Sequence, residues 1–326
     1  MALRAILILL AGLIATVYLL SLWRAEARRV AIEAAFPPEG QILDVDGVPV
    51  HAVVMGEGPD LVLIHGAGGN VRDFTQGFAQ GLADRYRVIV FDRPGLGYTG
   101  RTDPAYTRAF TARAESAAEQ AALLQAAAAQ LGADKPIVLG HSYGGAVALA
   151  WAVYQPESIA AVVNVGGVAM PWPGTLGAFY TVNGSTFGGA LLAPLVAAWA
   201  PESRIEGAIP SIFAPNPVPE GYIENVGAEL LVRKDSFRAN ARQVNSLRPH
   251  VVEQANHYPG LTLPIELVHG AEDDTVPLAV HAEPLSTIAQ DASLTVLDGV
   301  GHMPHHADRQ SIYAAIDRAA ERAGLR

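Results

Sequence analysis

The chain has 326 residues, half of them hydrophobic and 17% charged, so a large buried core is expected and wholesale disorder is not. Its formal net charge of -10 argues against a nucleic-acid partner, which calls for a basic face. It has no cysteine, which excludes a disulfide framework, a thiol nucleophile and any cysteine metal site.

From Ala5 to Trp23 no charged residue occurs, and Leu, Ile, Ala and Val dominate. A helix of that length, at about 1.5 Å per residue, matches a hydrocarbon core of roughly 30 Å. Tyr18 and Trp23 stand near its exit, where interfacial aromatics are common. A retained membrane anchor over 1–23 is therefore expected. Two rival readings are a signal peptide cleaved near Ala25-Glu26-Ala27 and a buried core helix. Arginines flank both ends (Arg4; Arg24, Arg28, Arg29), so the positive-inside rule leaves the orientation open. The short N-terminal tail and the lack of cysteine lean towards a bacterial inner membrane with the remainder of the chain on the periplasmic side.

Residues 24–40 read as a linker, with Pro37, Pro38 and Gly40 ending any helix. Two strands, Gln41–Val45 and Val48–Val54, flank Asp46-Gly47, a strong hairpin signal. Then strands alternate with helices. Strands are expected at Leu61–Ile64, Val88–Phe91, Ile137–Leu139 and Ile159–Val165. Helices are expected at Val71–Asp84, Thr111–Leu131 and Tyr143–Tyr154. Short apolar strands separated by helices imply a parallel sheet covered on both faces.

From about Val168 to Pro259 the rhythm stops, prolines accumulate and helical stretches replace strands. The strand–helix rhythm returns with Ile265–His269, Leu278–Ala289, Ser293–Leu297 and Ala307–Ala323. The expected organisation is an α/β core over 41–168 and 260–326, interrupted by a helical cap over 169–259.

The segment Ile137 to Gly145 reads strand, then Gly140-His141-Ser142-Tyr143-Gly144, then helix. Such a G-x-S-x-G turn presents the serine hydroxyl at the carboxyl edge of a sheet, where the helix N-terminus favours negative charge. His65-Gly66-Ala67-Gly68-Gly69 follows another strand to the same edge. The backbone N–H groups of Ala67 and Tyr143 are the natural pair of donors for a developing oxyanion. A phosphate-cradling role for the glycines is disfavoured, because neither G-x-G-x-x-G nor a Walker lysine is present.

With these motifs, DRPGLG at 92–97, HGAEDDTVP at 269–277 and GVGH at 299–302, the chain from about Gly40 to Arg326 resembles the α/β-hydrolase fold family. The resemblance implies a catalytic acid after a late strand. The spacing G-x-x-D-x-x-V-P selects Asp273, with Glu272 and Asp274 as rivals. It implies a histidine base after the last strand, which is His302. The order Ser142, Asp273, His302 fits the family order. The resemblance further implies acyl transfer from an ester, thioester or lactone, with no metal and no cofactor. Carbon–carbon bond hydrolysis, cofactor-free haloperoxidase-like chemistry and transfer to an acceptor other than water remain open. Epoxide hydrolases and haloalkane dehalogenases resemble the chain but carry aspartate where Ser142 stands. A hydrolase-like binding protein without activity would show a broken triad, and none is visible.

His65 and His141 are expected to be structural. His305 and His306 are expected to start the last helix and face solvent or the loop. Asp92 and Arg93 are expected to form an ion pair that shapes their loop. Trp172, Phe179, Tyr180, Phe187 and Trp199 are expected to line an apolar substrate cavity under the cap. The expected partners are thus a small hydrophobic acyl substrate and, through residues 5–23, a membrane.

Overall fold

Successive strand side chains point to opposite faces, and here both faces are apolar because helices cover both. In the computed structural model, which describes residues 1–326, eight strands form one sheet. They are β1 (Gln41–Val45), β2 (Val48–Met55), β3 (Asp60–Ile64), β4 (Arg87–Phe91), β5 (Ile137–His141), β6 (Ala161–Val165), β7 (Ile265–Gly270) and β8 (Ala292–Leu297). The order is β1-β2-β4-β3-β5-β6-β7-β8. The β1–β2 and β2–β4 pairs are antiparallel, and the other five are parallel. The hairpin turns at Asp46 and Gly47, both at positive φ.

Val62, Ile64, Val138 and Val162 face one helical layer; Leu61, Leu63, Ile137, Leu139 and Val163 face the other. The expected helix at 111–131 begins only at Ala117, where Ser116 and Glu119 close a capping box. The expected helix at 71–84 is broken. A single turn, Arg72–Thr75, is followed by Gly77 at φ +99, outside helical space, and then by a 3₁₀ turn, Ala79–Leu82.

Numbering the longer helices in chain order, α1 is Ala2–Ala35, α2 Ala117–Gln130, α3 Tyr143–Tyr154, α4 Ala178–Asn183, α5 Thr186–Trp199 and α6 Lys234–Ala255. Behind them come α7 (Leu278–Ile288) and α8 (Arg309–Arg322). Between β6 and β7 the chain forms helices and turns without a strand. The longest of these, α6, reaches back to the core. Asn240 Oδ1 accepts from Gly68 N at 2.8 Å, and Leu247 and Val251 join the buried cluster beneath.

Residues 24–35 are not a linker. α1 runs unbroken to Ala35, because no breaker occurs before Pro37 and because Arg29 pairs with Glu26 and Glu33 along one face. Its second half docks on α5. Tyr18 Oη donates to Ala190 O at 3.1 Å, Arg24 Nε to Ala198 O at 2.8 Å, and Arg28 Nη1 to Ala200 O at 2.6 Å. The arginines thus satisfy carbonyls at the negative end of α5.

Candidate active site

β5 ends into α3 at Ser142, one of only two non-glycine residues at positive φ (φ 54, ψ -119). The strain is held by close packing on either side. A Cβ on Gly140 would lie 2.1 Å from Gly144 O, and one on Gly144 would lie 2.2 Å from Ile64 O. Only glycine fits at both places, so the turn stays sharp and Ser142 stands clear of the sheet edge.

Loops after β7 and β8 deliver the other two groups. His302 Nε2 lies 2.9 Å from Ser142 Oγ, and His302 Nδ1 lies 2.8 Å from Asp273 Oδ2. Asp273 Oδ1 accepts the amides of Thr275 and Val276. Glu272 and Asp274 are exposed and make no such contact, whereas Asp273 is buried. Burial by itself raises the Asp273 carboxyl. The His269 imidazole 3.4 Å away, the His302 imidazole and the Val276 amide outweigh it and hold the group well below the usual carboxylate range. Asp273 is therefore an anion at neutral pH, and His302 presents its Nε2 lone pair to Ser142.

The backbone N–H groups of Ala67 and Tyr143 have no acceptor within the protein. His65 shapes the loop that carries Ala67: Nδ1 donates to Gly66 O at 2.9 Å, and Nε2 accepts from Arg93 N at 2.9 Å. Burial lowers this imidazole to about 4, so it stays neutral. His141 lies under the turn, donating Nε2–H to His302 O at 2.8 Å.

Asp92 and Arg93 do not pair with each other. Asp92 binds His51 Nδ1 at 2.6 Å and the amides of Val71 and Tyr98. Arg93 donates to His65 O and Gly66 O and lies 4.0 Å over the Tyr143 ring. The buried guanidinium meets carbonyl acceptors in the glycine loop, and the carboxylate finds a nearer imidazole, so each charge is satisfied apart.

His305 and His306 also depart from expectation. They sit on a separate turn, Pro304–Ala307, and point inward to Asp73, at 3.2 Å and 2.9 Å from its two oxygens. Tyr222 of the cap donates to the same carboxylate at 2.8 Å. Three residues so placed could by distance hold a cation. However, neither Nδ1 has the hydrogen-bond partner that orients a metal-bound imidazole, and Tyr222 already occupies one oxygen. The group is a hydrogen-bonded cage for a buried carboxylate that ties the cap to the core. Sequence reasoning missed it because Asp73 and Tyr222 lie far from His305 along the chain.

A cavity of about 400 Å³ opens beside Ser142 and His302. Its walls are mostly apolar, including Phe179, Val196, Ile205, Ile209, Phe213 and Leu231. Of the aromatics expected there, only Phe179 lines it. Trp172 packs near His281, and the exposed ring of Phe187 meets Phe110. Trp199 donates Nε1–H to Ser21 of α1. α5 turns its small residues and Val196 inward and its large aromatics outward, which spacing alone did not reveal.

A family model described as "Alpha/beta hydrolase family" matches residues 61–315. The chain belongs to the α/β hydrolase family. Among curated relatives of this hydrolase, a 2-hydroxy-6-oxononadienedioate/2-hydroxy-6-oxononatrienedioate hydrolase from a Pseudomonas species is 27% identical, over 80% of this chain and 88% of its own. A putative aryl esterase from Burkholderia cenocepacia superposes with a TM-score of 0.69 at 21% identity, covering 87% of the hydrolase and 98% of that structure. A membrane phospholipase A, described as a bacterial virulence factor, superposes at 0.66 and 20% identity over 97% of the chain and 98% of its own. At such identities the two structures share the fold.

Proposed function

We propose that this hydrolase cleaves an ester-like acyl bond (carboxylic ester, thioester or lactone) through an acyl-enzyme on Ser142. The observation that carries the reading is the unbroken relay Ser142 Oγ–His302–Asp273, at 2.9 and 2.8 Å, beside two unoccupied amides. His302 Nε2 takes the proton as Ser142 Oγ attacks the carbonyl carbon. The Ala67 and Tyr143 amides bind the oxyanion. The proton then passes from His302 to the leaving group as its bond to the acyl carbon breaks. Water, deprotonated by His302, releases the acid and restores Ser142.

The apolar cavity supports an acyl chain of small or medium length. A dicarboxylate such as the Pseudomonas relative's substrate would bring two negative charges into walls that offer one cation, Arg204, and the anionic Asp73, which disfavours carbon–carbon hydrolysis of that kind. Residues 5–23 hold the enzyme to a membrane. The long apolar run in α1, almost wholly exposed, supports the anchor, and a membrane phospholipase shares the fold over nearly the whole chain.

The test is labelling with a fluorophosphonate, followed by a p-nitrophenyl ester series of increasing chain length. Wild type should label and hydrolyse; Ser142→Ala should fold, fail to label and lose on the order of 10⁴–10⁶-fold in kcat. Labelling of the alanine variant at the wild-type rate would sink the reading.

A further inference from the structure

We propose that the outer face of α4 and α5, together with Phe110, is embedded in the same bilayer leaflet that α1 enters; this rests on the membrane-anchor reading above.

The first observation is one of level. α1 and α5 run parallel, since Tyr18, Arg24 and Arg28 contact Ala190, Ala198 and Ala200 in that order. Helical side chains lean towards their N-terminus, so Ala190 lies at least as near the free end of α1 as Tyr18 itself. Phe187 comes three residues earlier, about 4.5 Å further towards the free end of α1. That end is the uncharged run starting at Ala5. If the run from Ala5 to Trp23 lies in hydrocarbon, the first turns of α5 lie beside it. The C-terminal end of α5 is held by Arg24 and Arg28, the first two cations after the run, at the headgroup level.

The second observation is one of chemistry and is independent of the first. No Asp, Glu, Lys, Arg or His occurs between Glu157 and Glu202, a stretch that includes all of α4 and α5. On the outer face, Phe187 is 69% and Leu191 44% exposed, with Val182 and Leu192 beside them. Phe110, 61% exposed, meets Phe187 edge-on at 6.1 Å between ring centres. Outside α1 and this face, large apolar residues such as Ile42, Val252 and Val296 are exposed singly. A contiguous uncharged patch of this kind is costly in water and stable in lipid. Arg108 and Arg113, exposed on either side of Phe110, and Arg24 stacked on Trp199 at 4.6 Å supply the cationic rim that meets lipid phosphates. α5 also gives Val196 to the cavity wall, so one helix separates lipid from the Ser142 cavity. The substrate class that follows is an acyl lipid drawn from the leaflet.

The natural absence of cysteine makes the test clean. Single variants of the full chain, Phe187→Cys, Leu191→Cys, Val252→Cys, Val296→Cys, Leu9→Cys and Ile14→Cys, are spin-labelled in phosphatidylethanolamine–phosphatidylglycerol vesicles. Collision with oxygen and with a water-soluble nickel chelate is then measured. The oxygen-to-nickel ratio should be about tenfold higher at 187 and 191 than at 252 and 296, and should match 9 and 14. In addition, Phe187→Asp should lower turnover of a vesicle-borne ester about tenfold while a water-soluble short ester is hydrolysed within about twofold of wild type, which also shows that the variant folds. Lipid exposure at 9 and 14 with water exposure at 187 and 191 would overturn the inference and leave the anchor standing. Water exposure at all positions would overturn both. Spin–spin broadening at 187 would mean that a second copy covers the face, and would also overturn the inference.

Discussion

Asp273 meets His302 with one oxygen only: Oδ2 lies 2.8 Å from Nδ1, while Oδ1 is held by the amides of Thr275 and Val276. An amide side chain in its place can keep the two amide contacts through its carbonyl and turn its NH₂ towards His302. That would force the wrong tautomer on the imidazole. Asp273→Asn should therefore lower kcat on the order of 10⁴-fold with little change in thermal stability. Asp274→Asn, at an exposed neighbour, should change it less than about threefold. Steady-state kinetics on a short p-nitrophenyl ester distinguishes the two, and the opposite ranking would move the acid.

The cavity wall makes a second prediction. Phe179 lines the cavity and Trp172 does not. Phe179→Ala should shift relative kcat/KM towards longer acyl chains by about 3–10-fold, whereas Trp172→Ala should leave the chain-length ratio within about twofold. A shift with Trp172→Ala alone would place the acyl chain elsewhere.

Much of this was legible in the sequence, and the parts that were not share a cause. Strand positions followed from short β-branched runs, and the Ser142 turn followed from glycines that close contacts require. Both are local. The contact of Asp273 with His302 followed from a spacing that the fold family repeats. By contrast, the inward turn of His305 and His306 depends on Asp73 and Tyr222, which come from distant segments. The outward turn of Phe187 and Trp199 depends on α1 covering one flank of α5. The break at Gly77 was visible as a residue type but not as a conformation, since glycine tolerates helix as well as turn.

Acid should unfold the protein over a defined window. His65 accepts from Arg93 N, so its neutral form is needed, and burial lowers it from an ordinary value of 6.5 to about 4. The unfolded chain binds that proton more readily between those values. Stability is thus complete above about pH 6.5 and falls as pH drops towards 4. Burial lowers His141, His281 and His305 in the same direction. His51 opposes them: burial lowers it, but the Asp92 carboxylate and Glu39 raise it further, so its contribution is lost as pH rises. Asp73 and Asp273 are held ionised and add nothing in this window. Urea unfolding in detergent at pH 7.5 and pH 5 should show a loss of about 2 kcal/mol for His65 alone, partly offset by His51. Stability that is flat or higher at pH 5 would refute the assignment.

Truncation should be sharply position-dependent. Removing residues 1–17 leaves Tyr18, Arg24, Arg28 and Glu33 on the cap, and the melting temperature in detergent should change little. Removing residues 1–35 takes Glu33 from the buried Arg233 and uncovers Ala197, Ala198 and the Trp199 ring. It should cost on the order of 3 kcal/mol and slow turnover through a loosened cap. Equal melting temperatures for both truncations would show that the docking contributes nothing.

The docking of α1 on α5 also dictates an order of assembly. α1 is synthesised before α5, and Ala190, the partner of Tyr18, follows it by 172 residues. During that interval the small-residue flank of α5 does not yet exist to cover α1. For the anchored chain proposed above, insertion of α1 would precede closure of the cap. The nascent hydrolase would then complete its folding as a tethered chain, at a fixed height above the lipid, and would not arrive there as a finished globule.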